Sequence, residues 1–128
     1  MIFIIHGDDI VTSRKKLTSL VNKLQEYERI DLVGKNTGIT DVIQVFESRS
    51  LFGQNKLIIL EEFLETKDKA LIANLLNHLN KDQMHEVIFW EPKEIKRELL
   101  ALFPKSAQIF FFKQDRPLFR FLGAIGPG

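Results

Sequence analysis

Four short runs dominated by apolar residues constrain the fold of this chain more than any other feature of its sequence. They lie at residues 2–5, 57–60, 86–90 and 109–112. A strand with one face in water alternates apolar and polar residues, whereas a strand covered on both faces is apolar throughout. The runs therefore predict strands buried inside a parallel sheet.

Segments with helical spacing separate these strands. A first helix, capped by Asp8 or Asp9, is predicted from the recurrence of Val11, Leu17, Leu20, Val21, Leu24 and Tyr27. A weaker strand is predicted at 29–35, and further helices from about residue 40, at 68–79 and at 94–103, before Pro104. Because crossovers between parallel strands pack back onto the sheet, this order predicts an α/β sandwich of five parallel strands with helices on both faces.

The composition excludes several classes of protein. A chain of 128 residues with 45% apolar content can bury one core but not two. Its 18 basic and 17 acidic side chains nearly cancel, so net charge favours neither nucleic-acid nor membrane binding. The absence of cysteine excludes disulfides and thiolate metal sites. With no signal-peptide pattern at its start, we expect a cytoplasmic protein.

The turn after the first strand is where an open parallel sheet binds phosphate, beside the N-terminus of the first helix. The pattern G-x-x-x-x-G-K-[ST], aligned from Gly7, lacks its second glycine and its lysine, and Asp8 and Asp9 add negative charge where an anion would sit. We therefore expect a degenerate phosphate loop that binds no nucleotide and no cofactor. Its last three positions are occupied by Thr12, Ser13 and Arg14.

Neither the acidic residues nor the histidines predict a metal site. Glu61 and Glu62 follow the strand at 57–60 and loosely imitate the acid that holds magnesium in P-loop enzymes, but they have no triphosphate to bridge. The histidines have no metal-binding spacing and are interpreted as ordinary residues. They are His6, His78 and His85.

Aromatic and basic residues give no clear nucleic-acid signature. Trp90 and residues 110–112 lie in predicted buried strands, so we interpret them as core and not as a surface on which bases stack. Basic residues on two helices are expected to be solvated, although a weak contact with partner subunits or DNA remains open. These are Arg14, Lys15, Lys16, Lys23, Lys93, Lys96 and Arg97.

The segment at 48–55 interrupts the pattern of helices and strands. Leu51 and Phe52 stand between polar triplets and follow neither a helical nor a strand period. Exposed together, they would form an apolar knob able to enter a pocket on a partner, each contributing roughly 1.5 to 3 kcal/mol. The residue pattern alone equally allows a turn in which both side chains plug the bottom of the sheet.

Several motifs together resemble a known family. The order FIIHGDD, then ESRSLFGQNKLIILEEF, EVIFWEPKEIKRE and QIFFFK, is similar to the N-terminal domain of the delta subunit of the bacterial DNA polymerase III clamp loader. The similarity covers about residues 1–116, and its most specific piece lies before the strand at 57–60. That piece is Ser50, Leu51, Phe52 and Gly53.

This resemblance implies a P-loop NTPase-like domain of the AAA+ type without a working phosphate loop and without intrinsic catalysis. The Ser-Leu-Phe segment would insert Leu51 and Phe52 into a pocket of the ring-shaped sliding clamp (beta) and favour ring opening. ATP hydrolysis would belong to other clamp-loader subunits, which family members contact through later helical and collar domains. Any DNA contact would be indirect or weak, and no membrane is involved.

The last residues do not fit the five-stranded unit. Four large apolar residues follow although the sheet is already complete: Leu118, Phe119, Phe121 and Leu122. We therefore interpret 1–116 as the clamp-binding domain and 117–128 as the truncated start of a helical domain.

Two alternative functions remain. One is a receiver-type phosphoacceptor domain, with Asp8 and Asp9 as the paired acids after the first strand and Lys113 as the lysine after the fifth. The other is an active P-loop nucleotide-binding protein.

Overall fold

The computed structural model describes residues 1–48, 53, 55–81 and 84–114. Strands and helices alternate along these ranges, with 3-10 turns at Gly34–Asn36 and Leu64–Thr66. No helix within the described ranges has the length and apolar character needed to cross a membrane. The elements are β1 Ile2–His6, α1 Ile10–Lys23, β2 Glu28–Val33, α2 Ile39–Glu47, β3 Lys56–Glu61, α3 Lys69–Leu79, β4 Glu86–Glu91, α4 Arg97–Leu100 and β5 Gln108–Phe111.

The five strands form one sheet in the order β2-β3-β4-β1-β5, and every described pairing is parallel. The predicted α/β class with a five-stranded parallel sheet is confirmed, as is its P-loop or Rossmann-like character. A receiver domain has the order 2-1-3-4-5, in which the first strand lies beside the second. Here β1 lies between β4 and β5, so the sheet is not that of a receiver domain.

Apolar side chains fill both faces of the sheet, as the unbroken runs predict. One face carries Ile4, Leu60 and Phe89, which pack with residues of α2 and α3 such as Val42 and Leu75. The other face packs mainly against α1 through a smaller set of residues. This set is Phe3, Ile5, Leu17, Leu20, Leu57, Ile59, Ile88 and Trp90. The strands β1, β3 and β4 are therefore covered on both sides, which places the sheet in a three-layer sandwich.

Two helix predictions need correction. The helix predicted at 94–103 is only Arg97–Leu100, because Ile95 is held in the preceding segment, where its buried backbone N donates to His6 Nδ1 at 2.9 Å. In α1 the predicted inward residue Val11 is 67% exposed. Ser13 takes the inward position instead and is fully buried.

The prediction that the last strand is buried on both faces is wrong. β5 is an edge strand that pairs with β1 alone among the described strands, and Ile109 and Phe111 are 47% and 46% exposed. Phe110 and Phe112 are half-buried against the α1 side of the sheet. An apolar run indicates a strand but does not tell a central strand from an edge strand, since strand order is a tertiary property.

The residue that follows β5 packs directly against the turn that follows β1. Phe112 N donates to His6 O at 2.9 Å, and Phe112 O accepts from Asp9 N at 3.0 Å. Gly7 lies against Phe112 and has a φ of +124°, and a Cβ atom at that position would be 2.1 Å from Phe112 O. Only glycine fits there, because both the backbone conformation and the neighbouring main chain exclude a side chain.

We expect Gly7→Ala to lower the free energy of unfolding by about 2 kcal/mol or more, since it adds backbone strain to a main-chain clash. Urea unfolding followed by circular dichroism measures the change. Gly38→Ala is the matched control, because a Cβ at Gly38 meets no atom closer than 3.5 Å. Equal stability of the two variants would contradict the role given to Gly7.

Candidate functional site

The phosphate-loop position and the described residues that flank the predicted clamp-binding segment lie at opposite edges of the sheet. All strands are parallel, so the turn after β1 lies at the edge formed by the carboxyl ends of the strands. Ser48 and Lys56, the described residues on either side of the predicted clamp-binding segment, lie at the amino end of β3. The phosphate-loop position and these two flanking residues are therefore separated by the length of the strands.

Backbone donors of the turn after β1 are occupied by the protein itself. A phosphate loop binds its ligand with backbone N–H groups that point into the loop. Here Gly7 N donates to Lys93 O at 3.2 Å, and Asp9 N donates to Phe112 O at 3.0 Å. Ser13 N donates to Asp9 O at 3.0 Å. Carbonyl groups of the residues after β4 and β5, and of Asp9 itself, thus accept from donors that a nucleotide would need.

Both aspartates of this turn have structural hydrogen bonds. Asp9 is the N-cap of α1, where its carboxylate accepts from Thr12 N at 3.2 Å and from Thr12 Oγ1 at 2.8 Å. Asp8 Oδ1 accepts from Gln114 N at 2.6 Å, which fastens the turn to the chain after β5. The carboxylates therefore occupy the positive end of the helix, where a phosphate group would otherwise bind.

Ser13 and Arg14, at the lysine and hydroxyl positions of the phosphate-loop pattern, contact other side chains of the fold. Ser13 Oγ donates to Ile10 O at 3.1 Å and accepts from Trp90 Nε1 at 3.1 Å. The Arg14 guanidinium lies 3.8 Å from the centre of the Trp90 ring and donates to Glu61 Oε1 at 2.6 Å. An arginine-carboxylate pair thus joins the first helix to the end of β3, where P-loop enzymes place a hydroxyl and an acid around magnesium.

A buried carboxylate at the same edge was not predicted from the sequence. Glu91 ends β4 and is 1% exposed. Its Oε2 accepts from Phe63 N at 3.0 Å and Leu64 N at 3.1 Å, so it orders the chain after β3. Burial raises the pKa of the Glu91 carboxyl to about 7; the two backbone donors oppose this shift, and the carboxylates of Glu65 and Glu62 add to it.

Glu91 also lines a groove of about 440 Å³ beside α4. Carboxylates of Glu65 and Glu94 and ammonium groups of Lys93 and Lys96 lie around the same groove. The five charges nearly cancel, so the groove favours neither an anion nor a cation. Across the described ranges, no three His, Asp or Glu side chains lie close enough together to hold a metal ion.

At the opposite edge, the described ends of segment 49–55 are held firmly. Lys56 is 2% exposed, and its Nζ donates to the carbonyl and hydroxyl oxygens of Ser48. Asn55 O accepts from Glu28 N at 2.8 Å, which fixes the chain as it enters β3. A buried lysine before an apolar strand is not recognisable from sequence, because lysine is ordinarily a surface residue.

The predicted clamp-binding residues are described only in part. Ser50, Leu51 and Phe52 lie outside the described residues. Gly53 is exposed, has a φ of +69°, and has no atom within 4 Å of the position of a Cβ. The left-handed backbone explains why glycine suits this position, and the open surroundings leave its neighbourhood free for a partner.

The histidines serve the fold. His6 and His85 each accept a backbone N–H at Nδ1, from Ile95 and Lys56 respectively, both at 2.9 Å. Burial lowers the pKa of His6 below its ordinary value of 6.5, although the carboxylate of Glu94 opposes this change. His78 Nδ1 lies 3.8 Å from Glu47 Oε2 at the surface. None of the three contacts is that of a catalytic pair.

We expect no saturable binding of ATP at micromolar concentration, with or without magnesium, because donors of the turn after β1 are already bonded and two carboxylates lie beside them. Equilibrium dialysis with labelled ATP measures this, with a P-loop ATPase as the positive control. Saturable binding would show that the turn opens to accept a nucleotide.

We expect Glu91 to make stability fall as pH rises. Its folded pKa of about 7 lies above the ordinary value of 4.5, so the folded state holds the proton more strongly than the unfolded chain. The stabilisation is complete below pH 4.5 and is lost as pH rises through 7, by roughly 1 to 3 kcal/mol. Urea unfolding of the wild type and Glu91→Gln between pH 4.5 and 8 measures it.

The difference in unfolding free energy between the wild type and Glu91→Gln isolates the contribution of Glu91, because His6 and the other ionisable groups are present in both proteins. His6, whose pKa is lowered, contributes in the opposite direction, and its contribution is lost as pH falls. A difference in unfolding free energy that does not change with pH would show that Glu91 is ionised throughout.

Comparisons with known proteins leave the family open. No family model matches the sequence, and no curated protein matches it. The fold is similar to a chain in a solved structure described as Drosophila ORC bound to DNA, with 8% sequence identity and a TM-score of 0.49. The similarity covers 89% of this chain and 26% of that one, so this chain spans about a quarter of that protein's length. At this level it says nothing about what this chain binds.

Proposed function

We propose that this chain is a non-catalytic, clamp-binding domain of a bacterial DNA polymerase III clamp loader, similar to the N-terminal domain of the delta subunit. It would bind the sliding clamp through Leu51 and Phe52, flanked by Ser50 and Gly53, and help open the ring for loading onto DNA. The proposal rests on the resemblance of residues 1–116 to that family. ATP hydrolysis and assembly would belong to other clamp-loader subunits in the cytoplasm.

The structural observation that best supports the proposal is that the described ends of segment 49–55 are held by hydrogen bonds. The Lys56 ammonium donates to Ser48, and Glu28 N donates to Asn55 O, so the described residues before and after the segment are fixed at one edge of the sheet. A short segment with fixed ends and two large apolar residues is suited to binding a pocket, because fixing the ends reduces the backbone entropy that binding has to remove. Gly53, exposed and without close neighbours, supports an accessible segment.

The opposite edge supports the absence of ATPase activity. The Arg14–Glu61 pair and the Asp9 cap occupy groups that a P-loop enzyme would use for magnesium and phosphate. A domain of this kind would act by binding alone, and its partners would supply the energy for ring opening. The active P-loop alternative gains no support from this geometry.

We expect Leu51→Ala with Phe52→Ala to weaken clamp binding about a hundredfold or more, since each side chain contributes roughly 1.5 to 3 kcal/mol and tenfold corresponds to about 1.4 kcal/mol. Surface plasmon resonance with immobilised sliding clamp measures the affinity, and circular dichroism checks the fold.

The matched control is Leu71→Ala with Phe111→Ala. These residues are 43% and 46% exposed. Leu71 lies in the first turn of α3 and Phe111 ends β5, both at the edge formed by the carboxyl ends of the strands. The control removes the same two residue types and should leave clamp affinity unchanged. If the variant with Leu51→Ala and Phe52→Ala is folded and binds the clamp as strongly as the wild type, the proposed function is wrong.

A further inference from the structure

The most unusual charge in the described part of the chain is the ammonium group of Lys56. This residue begins β3 and is only 2% exposed, although lysine is almost never fully buried without a partner. The ion pairs found among the described residues do not include it. A buried cation is costly unless polar groups surround it, so its contacts have to supply that compensation.

Three oxygen atoms supply the compensation. Lys56 Nζ donates to Val45 O at 2.6 Å, to Ser48 Oγ at 2.6 Å and to Ser48 O. An ammonium group has three N–H donors, and each has an acceptor here. Val45 lies in the last turn of α2 and Ser48 is its C-cap, so the cation lies at the negative end of the helix.

These contacts join the two residues that border segment 49–55. Ser48 is the last residue before the segment, and Lys56 is the first residue after it. A single side chain therefore closes a seven-residue loop at its base. The exit is fixed further, because Lys56 N donates to His85 Nδ1 at 2.9 Å and Asn55 O accepts from Glu28 N at 2.8 Å.

We propose that Lys56 is a positioning residue for clamp binding: its ammonium group ties the C-terminus of α2 to the start of β3 and so fixes the base of segment 49–55. This inference rests on the proposed function. Holding the ends together removes backbone freedom before binding, so less entropy is lost when Leu51 and Phe52 enter a pocket. Without the tie, the apparent affinity falls in proportion to the fraction of molecules that still hold the segment correctly.

The first test compares Lys56→Met with the matched control Lys67→Met. Lys67 Nζ donates to Gly34 O at 3.3 Å and Thr66 Oγ1 at 2.6 Å, so it also bonds a main-chain carbonyl, but at the opposite edge of the sheet. Amide hydrogen exchange of Glu28, Ser48 and residue 56, whose N–H groups are hydrogen-bonded in the wild type at the ends of segment 49–55, is measured without clamp. Clamp affinity is measured by surface plasmon resonance.

We expect exchange of the Glu28, Ser48 and residue 56 amides to become about tenfold faster in Lys56→Met, since hydrogen bonds to a charged group contribute roughly 1.5 to 3 kcal/mol. Clamp affinity should fall about tenfold if a tenth of the molecules keep the segment in place. Lys67→Met should leave both measurements unchanged. Unchanged exchange and affinity in a folded Lys56→Met protein would overturn the inference.

Ser48→Ala is the second variant, and it decides the matter if Lys56→Met does not fold. It removes one acceptor of the ammonium group and keeps the charge and both carbonyls. Faster exchange of the amides of residues 28, 48 and 56 with weaker clamp binding supports the tie, and no change in either measurement excludes it. A wild-type chain that fails to bind the clamp would remove the proposed function, while the exchange comparison still decides whether Lys56 restrains the segment.

Discussion

The burial of the central strands on both faces is the constraint on which the rest of the structure depends. Apart from residues at their ends, β1, β3 and β4 are apolar, so helices must cover both sides of the sheet. After β1 the chain passes to β2, which is the outermost strand on one side of the sheet. The later strands β3 and β4 then return toward β1, and β5 lies on its other side. This reversal opens a crevice beside the end of β1, where related folds bind nucleotides.

In this chain the protein itself occupies that crevice. The carbonyl of Phe112 lies over Gly7, the Asp9 carboxylate caps α1, and Arg14 pairs with Glu61 over the face of Trp90. These contacts connect the first helix with β3, β4 and β5 without a ligand.

Two buried charged side chains at opposite edges are held in the same physical way. The Lys56 ammonium is bonded by oxygens at the C-terminal end of α2, and the Glu91 carboxylate accepts backbone N–H groups of Phe63 and Leu64. Neither is compensated mainly by an opposite charge. Each therefore ties its own strand to a neighbouring connection, Lys56 at the amino end of β3 and Glu91 at the carboxyl end of β4.

The sequence by itself determined the fold class, because strand burial and helix amphipathicity are encoded in residue periodicity. It also determined that the turn from Gly7 to Arg14 departs from a phosphate loop, because that pattern is local. Only the tertiary structure decided that β5 is an edge strand, that α4 is short, and that Lys56 and Glu91 are buried. A lysine or glutamate beside an apolar run has the same local pattern whether it lies in water or in the core, and only long-range packing decides which.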